Sequence, residues 1–385
     1  MKLISNWMCF SLLLIGSLFS WAGQAKSAPI QLNFLEWGYL PVGFEDRFQA
    51  YARTKGMDVN VTSIQPYITD FDSIYSALRT KKADVVMPAN FFLKAHHSPL
   101  IKLLLPIDKT RLSNFQQLRP IFQQTQYDKE GEHNYAVPHT YALFSLAYDQ
   151  NQFSAPPTSW SGLSKPENTQ QFKIYCDQFE PVLISSMLAL GESPALFANG
   201  QIIKDPSLQQ RVQNTLTMRL KTAQGFWSNQ ENNCADLRQQ SLATTWGLEL
   251  VKCNQENNQR WKIAVAEEGP IYSLDTLAIA QHLANQPDKL EAAYLLIDFL
   301  ISQDQQALVL QGVPSIQGVN RLLRREFTAD ELAVLPDKAL PEFDERLLIP
   351  PLPANIKNRY KRMMNQALDD SGTREFSNQC NWDLQ

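Results

Sequence analysis

The stretch from Ile30 to Pro88 most narrows what this chain can fold into. Ile30 to Leu35 (IQLNFL) alternates apolar and polar residues, the period of a strand with two unlike faces. The loop Glu36-Trp37-Gly38-Tyr39-Leu40-Pro41 follows, then a helix expected around Phe44 to Lys55. Val59 to Ile64 reads as the next strand. Phe71 to Arg79 reads as a helix, because Phe71, Ile74, Tyr75 and Leu78 recur at helical spacing. Asp84-Val85-Val86-Met87-Pro88 is a short apolar strand ended by a proline. Strands that alternate with helices must run parallel, since the helix is the crossover that returns the chain to the same edge. The expectation is an α/β fold with a parallel sheet covered by helices.

The rhythm recurs downstream. Tyr135 to Asp149 reads as a strand pair, with Leu143 to Tyr148 its second member. Phe172 to Tyr175 reads as a strand, followed by a helix through Leu183 to Leu190. Leu208 to Ala223 reads as a helix, and Leu242 to Trp246 and Trp261 to Ala266 as strands. Asn254 to Gln259 is polar and expected as a loop tip. Leu277 to Ala280 reads as a strand after the Gly269-Pro270 turn. Lys289 to Ser302 is an expected helix with Leu290, Ala293, Leu296, Ile297 and Leu300 on one stripe.

The first 25 residues read as a signal peptide. Lys2 precedes an almost wholly apolar run from Met8 to Ala22, and Ala22-Gly23-Gln24-Ala25 puts small residues before a cut after Ala25. The run is short for a membrane span. Cys9 lies inside it, with no small-residue lipobox at a cleavage point, so a soluble, unanchored periplasmic protein is expected. About 360 residues remain, enough for two domains. A formal net charge of −4, with no basic patch, gives no reason to expect nucleic acid. Beyond Cys9, the cysteines are Cys176, Cys234, Cys253 and Cys380. None forms a C-x-x-C pair, and an oxidising compartment favours disulfides. Three pairings are open; Cys234 with Cys253 is preferred for its short separation, which leaves Cys176 with Cys380.

Motifs of catalysis are missing: no G-x-S-x-G, H-E-x-x-H, P-loop or G-x-G-x-x-G occurs. His96 and His97 are adjacent and would point apart on a helix, so no metal site and no cofactor are expected. His139, beside a strand, reads as a hydrogen-bonded structural histidine. What remains is aromatic residues and carboxylates at the carboxyl ends of strands, where open α/β sheets bind ligands. Trp37 and Tyr39 follow the first strand, and Phe91 and Phe92 follow the Asp84–Met87 strand. Asp177 and Glu180 follow the Phe172–Tyr175 strand. Trp246 ends its own strand, and Asp275 lies just before another. Each has a plain structural reading; Asp177 suits a helix N-cap and Glu180 its N3 partner. Together they suit a protonated amine. A desolvated ammonium needs anionic partners, and aromatic faces attract cations and cover methylene chains.

Several stretches carry a resemblance: NFLEWGYLPVGFEDRF, IYSALRTKKADVVMPANFF, LLLPIDKTRLSNFQQLRP, YAVPHTYALFSLAYD and EEGPIYSLDTLAIA. In order and spacing they are similar to the spermidine/putrescine-binding periplasmic proteins of ABC uptake systems, from about Leu32 to Leu368. The resemblance implies a two-lobed periplasmic binding protein fold with a ligand cleft between lobes. Lobe one would comprise residues 28–148 and 275–316, and lobe two 149–274 and 317–385. It implies that Trp37, Tyr39, Phe91 and Trp246 line the cleft, that Asp177 and Glu180 take amino groups, and that Asp275 takes an inner amine. Ser273 stands where the family has a stacking tryptophan, and Tyr272 should point away from it. Glu342, Asp344 and Glu345 are candidates for the family's C-terminal polar contact. The implied function is non-enzymatic: a monomer captures a polyamine by hinge closure and delivers it to an inner-membrane ABC permease. The alternatives are a polyamine sensor acting on a membrane signalling receptor, or the same fold binding another small organic cation or an amino acid.

Overall fold

The computed structural model describes residues 28–93, 100–153, 155–164, 172–228, 233–375, 380 and 382. The expected signal peptide, Cys9, His96 and His97 lie outside the described residues. The strands, in chain order, are β1 (Ile30–Leu35), β2 (Val59–Ser63), β3 (Val85–Val86), β4 (Lys129–Glu130), β5 (His133–Asn134), β6 (Val137–Asp149), β7 (Phe172–Tyr175), β8 (Gly225–Trp227), β9 (Leu242–Thr245), β10 (Trp261–Ala264), β11 (Ile271–Ile279) and β12 (Ile316–Gly318). The longer helices are α1 (Phe44–Thr54), α2 (Phe71–Arg79), α3 (Phe179–Leu188), α4 (Pro206–Thr222), α5 (Leu250–Asn257), α6 (Pro287–Leu300) and α7 (Ala354–Ser371).

The main sheet runs β2-β1-β3-β11-β6-β9-β7-β8, with β10 and β12 also pairing β6. β1 is parallel to β2 and β3, and β7 is parallel to β8 and β9. Between these parallel sets lies the antiparallel pair β11–β6, matched from Ile271↔Phe144 to Leu277↔Val137. β11 is antiparallel to β3 and β6 to β9. The two sets therefore run in opposite directions, and their carboxyl ends face each other across Thr140–Phe144 of β6.

Local chemistry explains the elements. β1 buries Leu32 and Phe34 completely, and α1 covers it with Phe44, Phe48 and Ala52. Phe48 and Tyr51 meet Phe299 of α6 at ring-centroid distances of 5.5 and 5.1 Å. The Asp70 side chain caps α2 by accepting from the Ser73 N–H at 2.7 Å. Arg219 of α4 is buried; it donates to Ser185 Oγ at 2.7 Å and to the Trp160 carbonyl at 3.0 Å. The first bond ties α4 to α3, and the second ties it to the segment at Trp160.

Three expectations change. The strand pair over Tyr135 to Asp149 is one continuous strand, β6. A central strand covered on both faces reads as an unbroken apolar run, and nothing in it makes a turn. Pro138, which has no N–H, falls where the register with β11 shifts between Asp275 and Thr276. β11 begins at Ile271, well before the expected Leu277, because Ile271 to Leu274 also pair with β6. Asn254 to Asn257 belong to α5 rather than to a loop tip. Leu250 and Cys253 bury one face of that helix, so packing outweighs its polar composition.

The disulfides are Cys234–Cys253 and Cys176–Cys380, the preferred pairing. Cys176 directly follows β7, so its bond to a residue 204 positions away fastens the C-terminal segment to the end of that strand. Closing so long a loop removes much unfolded-chain entropy. Replacing Cys176 and Cys380 together by serine is expected to lower unfolding free energy by about 2–5 kcal/mol, measured by urea denaturation.

Candidate functional site

The first half of the site is built where β1 and β3 end. Gly38 makes the turn after β1 with φ +83°, and a Cβ there would lie 2.7 Å from the Tyr67 ring. That turn brings Tyr39 back over the sheet. The Tyr39 hydroxyl donates to Asp275 Oδ2 at 2.9 Å and lies 2.8 Å from Thr140 Oγ1. His139 Nδ1 is 3.5 Å away. Asp275 sits at the register shift of β11 and bridges Ala89 just beyond β3. The Thr276 N–H donates to the Pro88 carbonyl at 3.0 Å, and Asn90 Oδ1 accepts from the Leu274 N–H at 3.1 Å. The carboxylate thus sits on backbone held from both sides.

Asp275 is half-buried by surface area, so it remains reachable. Burial nevertheless pushes its pKa up to about 7, against the lowering effect of the Tyr39 hydrogen bond. Glu36, which is buried, is also pushed up to about 7 by burial, although it accepts from the Gly38 N–H. His139 is fully buried and pushed down to about 3, a neutral imidazole at physiological pH. That agrees with a structural histidine.

The second half gathers where β7 and β9 end. The Tyr175 hydroxyl donates to Asp177 Oδ2. The expected N-cap role of Asp177 is not realised. Gln178 occupies the cap position of α3 without a side-chain cap bond, and Asp177 turns toward Tyr175 instead. Glu180 is then at N2, not N3. It is buried, with its Oε1 3.6 Å from Lys357 Nζ of α7. A lysine of this chain therefore already neutralises it.

The aromatic residues divide similarly. Trp37 stacks on Phe92 at 6.3 Å, and Phe91 packs edge-on against Phe92 at 4.6 Å. Trp246 is buried edge-on against Phe144 at 5.1 Å, and Phe144 also meets Tyr175 at 6.2 Å. Ser273 is half-buried and pairs Ala142. Tyr272 points away from it into a cluster with Tyr141 and Phe343. The C-terminal acids do not come forward: Glu342 and Glu345 are exposed, and Asp344 is held by Arg346 at 2.7 Å.

Sequence reasoning passed over Glu249, Tyr175, Thr140 and Phe144. Glu249 lies three residues after Trp246 and is buried. Its Oε1 accepts from Thr245 Oγ1 at 2.7 Å, and burial pushes its pKa up to about 7, with the Asp177 charge adding to the rise. The rule that singled out Asp177, a carboxylate just past a strand end, applies to Glu249 as well. Among the described residues no group of His, Cys, Asp and Glu is arranged to hold a metal ion, and no helix is long and apolar enough to cross a membrane.

Two α/β lobes whose strand ends converge on aromatic rings and half-buried acids define a ligand-binding protein. The model of the bacterial extracellular solute-binding protein family matches residues 46–333, and the chain belongs to that family. It is 24% identical over 314 residues to a spermidine/putrescine-binding periplasmic protein of Salmonella typhimurium, covering 80% of this chain and 83% of that one. The fold resembles the spermidine/putrescine ABC transporter substrate-binding protein of Streptococcus pneumoniae at a TM-score of 0.63 and 16% identity, over 89% of this chain and 99% of that one. It also resembles the PBP MotA of A. tumefaciens B6, solved in complex with glucopine, at a TM-score of 0.57 and 13% identity, over 89% and 99%. These are proteins of binding and transport, not of catalysis.

The raised acids set a pH dependence. An unfolded carboxyl titrates near pH 4, whereas Asp275, Glu249 and Glu36 titrate near 7 in the fold. Between those values the native state holds protons that the unfolded chain has released. Stability of the ligand-free protein is therefore expected to fall as pH rises from about 4 to about 7. Asp275→Asn should flatten part of that fall, read by urea denaturation at several pH values.

Proposed function

We propose that the protein captures a polyamine of the putrescine, spermidine or norspermidine class in the periplasm and delivers it to an inner-membrane ABC permease. The observation that carries this reading is Asp275: a reachable, desolvated carboxylate just beyond β3, held by the Tyr39 hydroxyl. Desolvation raises the energy of the anion, and a ligand ammonium recovers that energy. Trp37, Tyr39, Phe91 and Trp246 would cover the methylene chain and supply cation–π attraction of about 0.5–2 kcal/mol per contact.

The lobes in this reading are residues 28–148 with 275–316, and 149–274 with 317–385. β6 and β11 pass between them, and β12 carries the chain across a third time at Ile316–Gln317. Hinge closure about these crossings would bury the ligand. In this reading the protein acts as a monomer.

Two observations favour a second reading, in which the ligand is another small organic cation. Ser273 leaves the cleft without an expected ring, and Lys357 occupies Glu180. Polyamine capture by the same lobes would also serve a sensor acting on a membrane signalling receptor.

Calorimetric titration with putrescine, spermidine and norspermidine tests the reading; absence of binding by all three overturns it. Asp177→Ala or Asp275→Ala should weaken binding by roughly tenfold to a hundredfold, as expected for losing a charged hydrogen-bond partner worth about 1.5–3 kcal/mol.

A further inference from the structure

Glu249 has no structural task that accounts for its charge. It stands at the N-cap position of α5, yet makes no side-chain cap bond. It is 5% exposed, and only its Oε1 is engaged, by Thr245. Oε2 is buried with no hydrogen-bond partner among the described residues, and no lysine, arginine or histidine there pairs with it. Leaving a carboxylate oxygen buried and unpaired is costly unless something else satisfies it.

Its surroundings are a site's surroundings. Thr245 Oγ1 donates to Glu249 and itself accepts from the Gly247 N–H at 2.7 Å, which fixes the turn after β9. Gly247 has φ +75°, and a Cβ there would lie 2.9 Å from Ser315, so the turn has little room to rearrange. The Cys234–Cys253 disulfide pins α5 one turn farther along. The charge of Asp177 reaches Glu249, and the Tyr175 hydroxyl has its pKa raised by burial first and then by both acids. Phe144 and Trp246 stand beside them. By contrast Glu180, the acid that sequence favours for this place, is occupied by Lys357.

We propose that Glu249 is a ligand-binding carboxylate and that, with Asp177 and Tyr175, it forms a lobe-two subsite for one cationic amino or guanidino group of the ligand, in place of Glu180. This rests on the reading of the protein as an organic-cation binder, but not on which cation it binds. The Asp177 charge raises the energy of ionised Glu249, and a cation placed beside Glu249 relieves it.

The test is calorimetric titration at pH 8 of wild type, Glu249→Gln and Glu180→Gln with putrescine, spermidine and norspermidine, then agmatine, arginine and choline. Melting temperatures without ligand are recorded alongside. Glu249→Gln keeps an acceptor for Thr245, and Glu249→Leu serves as a second variant should the glutamine form fold poorly. The expected result is affinity reduced tenfold or more by either Glu249 change, and less than threefold by Glu180→Gln, with ligand-free melting unchanged or raised. A polyamine bound equally by wild type and the Glu249 variants overturns the subsite and leaves the polyamine reading standing. No polyamine bound, but another cation weakened by Glu249→Gln, overturns the polyamine reading and supports the subsite. Binding of none of the six overturns both.

Discussion

The antiparallel pairing of β6 with β11 is what the rest of the architecture hangs on. Each parallel set alone is a half-sheet with an open edge. β11 closes the edge beside β3, and β6 closes the edge beside β9. Because the two long strands are antiparallel to each other and to their neighbours, the flanking sets are forced into opposite directions. Their carboxyl ends, where backbone leaves the sheet and side chains are free to serve a ligand, then meet at one level. The register shift between Asp275 and Thr276 falls at that level. A bulge bends and twists the strand locally; the extra residue is His139 of β6, opposite the Asp275–Thr276 step of β11.

The electrostatic character of the site follows from this placement. Acids at the ends of buried strands lose water without gaining cations of the chain itself. Asp275 and Glu249 are both pushed up to about 7 on this account, from opposite strand sets. Glu180 shows the other outcome, since α7 brings Lys357 to it. The distinction separates acids that complete the fold from acids that await a partner. Spacing along the chain does not make it: Glu180 and Glu249 both follow strand ends closely.

Much of the fold was legible because periodicity reports burial. Ile30–Leu35 alternates because Leu32 and Phe34 are buried while Gln31 and Asn33 are exposed. The stripe of Leu296, Ile297 and Leu300 is the face α6 lays on the core. Legibility failed where burial was two-sided or the helix was short. β6 is buried along nearly its whole length, so its sequence has no period to mark where it pairs with β11 and where with β9. α5 is mostly polar, and a disulfide and two buried residues hold it in place. The aromatic contacts followed the same logic. That Phe92 rather than Phe91 would carry Trp37 is a matter of which way a short helical turn rotates.

By itself the sequence determined the α/β class, the helix–strand rhythm of the first parallel set, the cysteine pairing preferred on chain separation, and the kind of residue gathered at strand ends. These are local properties, set by side-chain period and by chain distance. Tertiary structure alone decided what each acid meets. Asp177 caps no helix because Tyr175 reaches it first; Glu180 is neutralised by a lysine 177 positions later in the chain; Glu249 has one oxygen that nothing in the described chain satisfies. Whether a carboxylate is paired depends on every charge within a few ångströms, and those charges come from segments that only folding brings together.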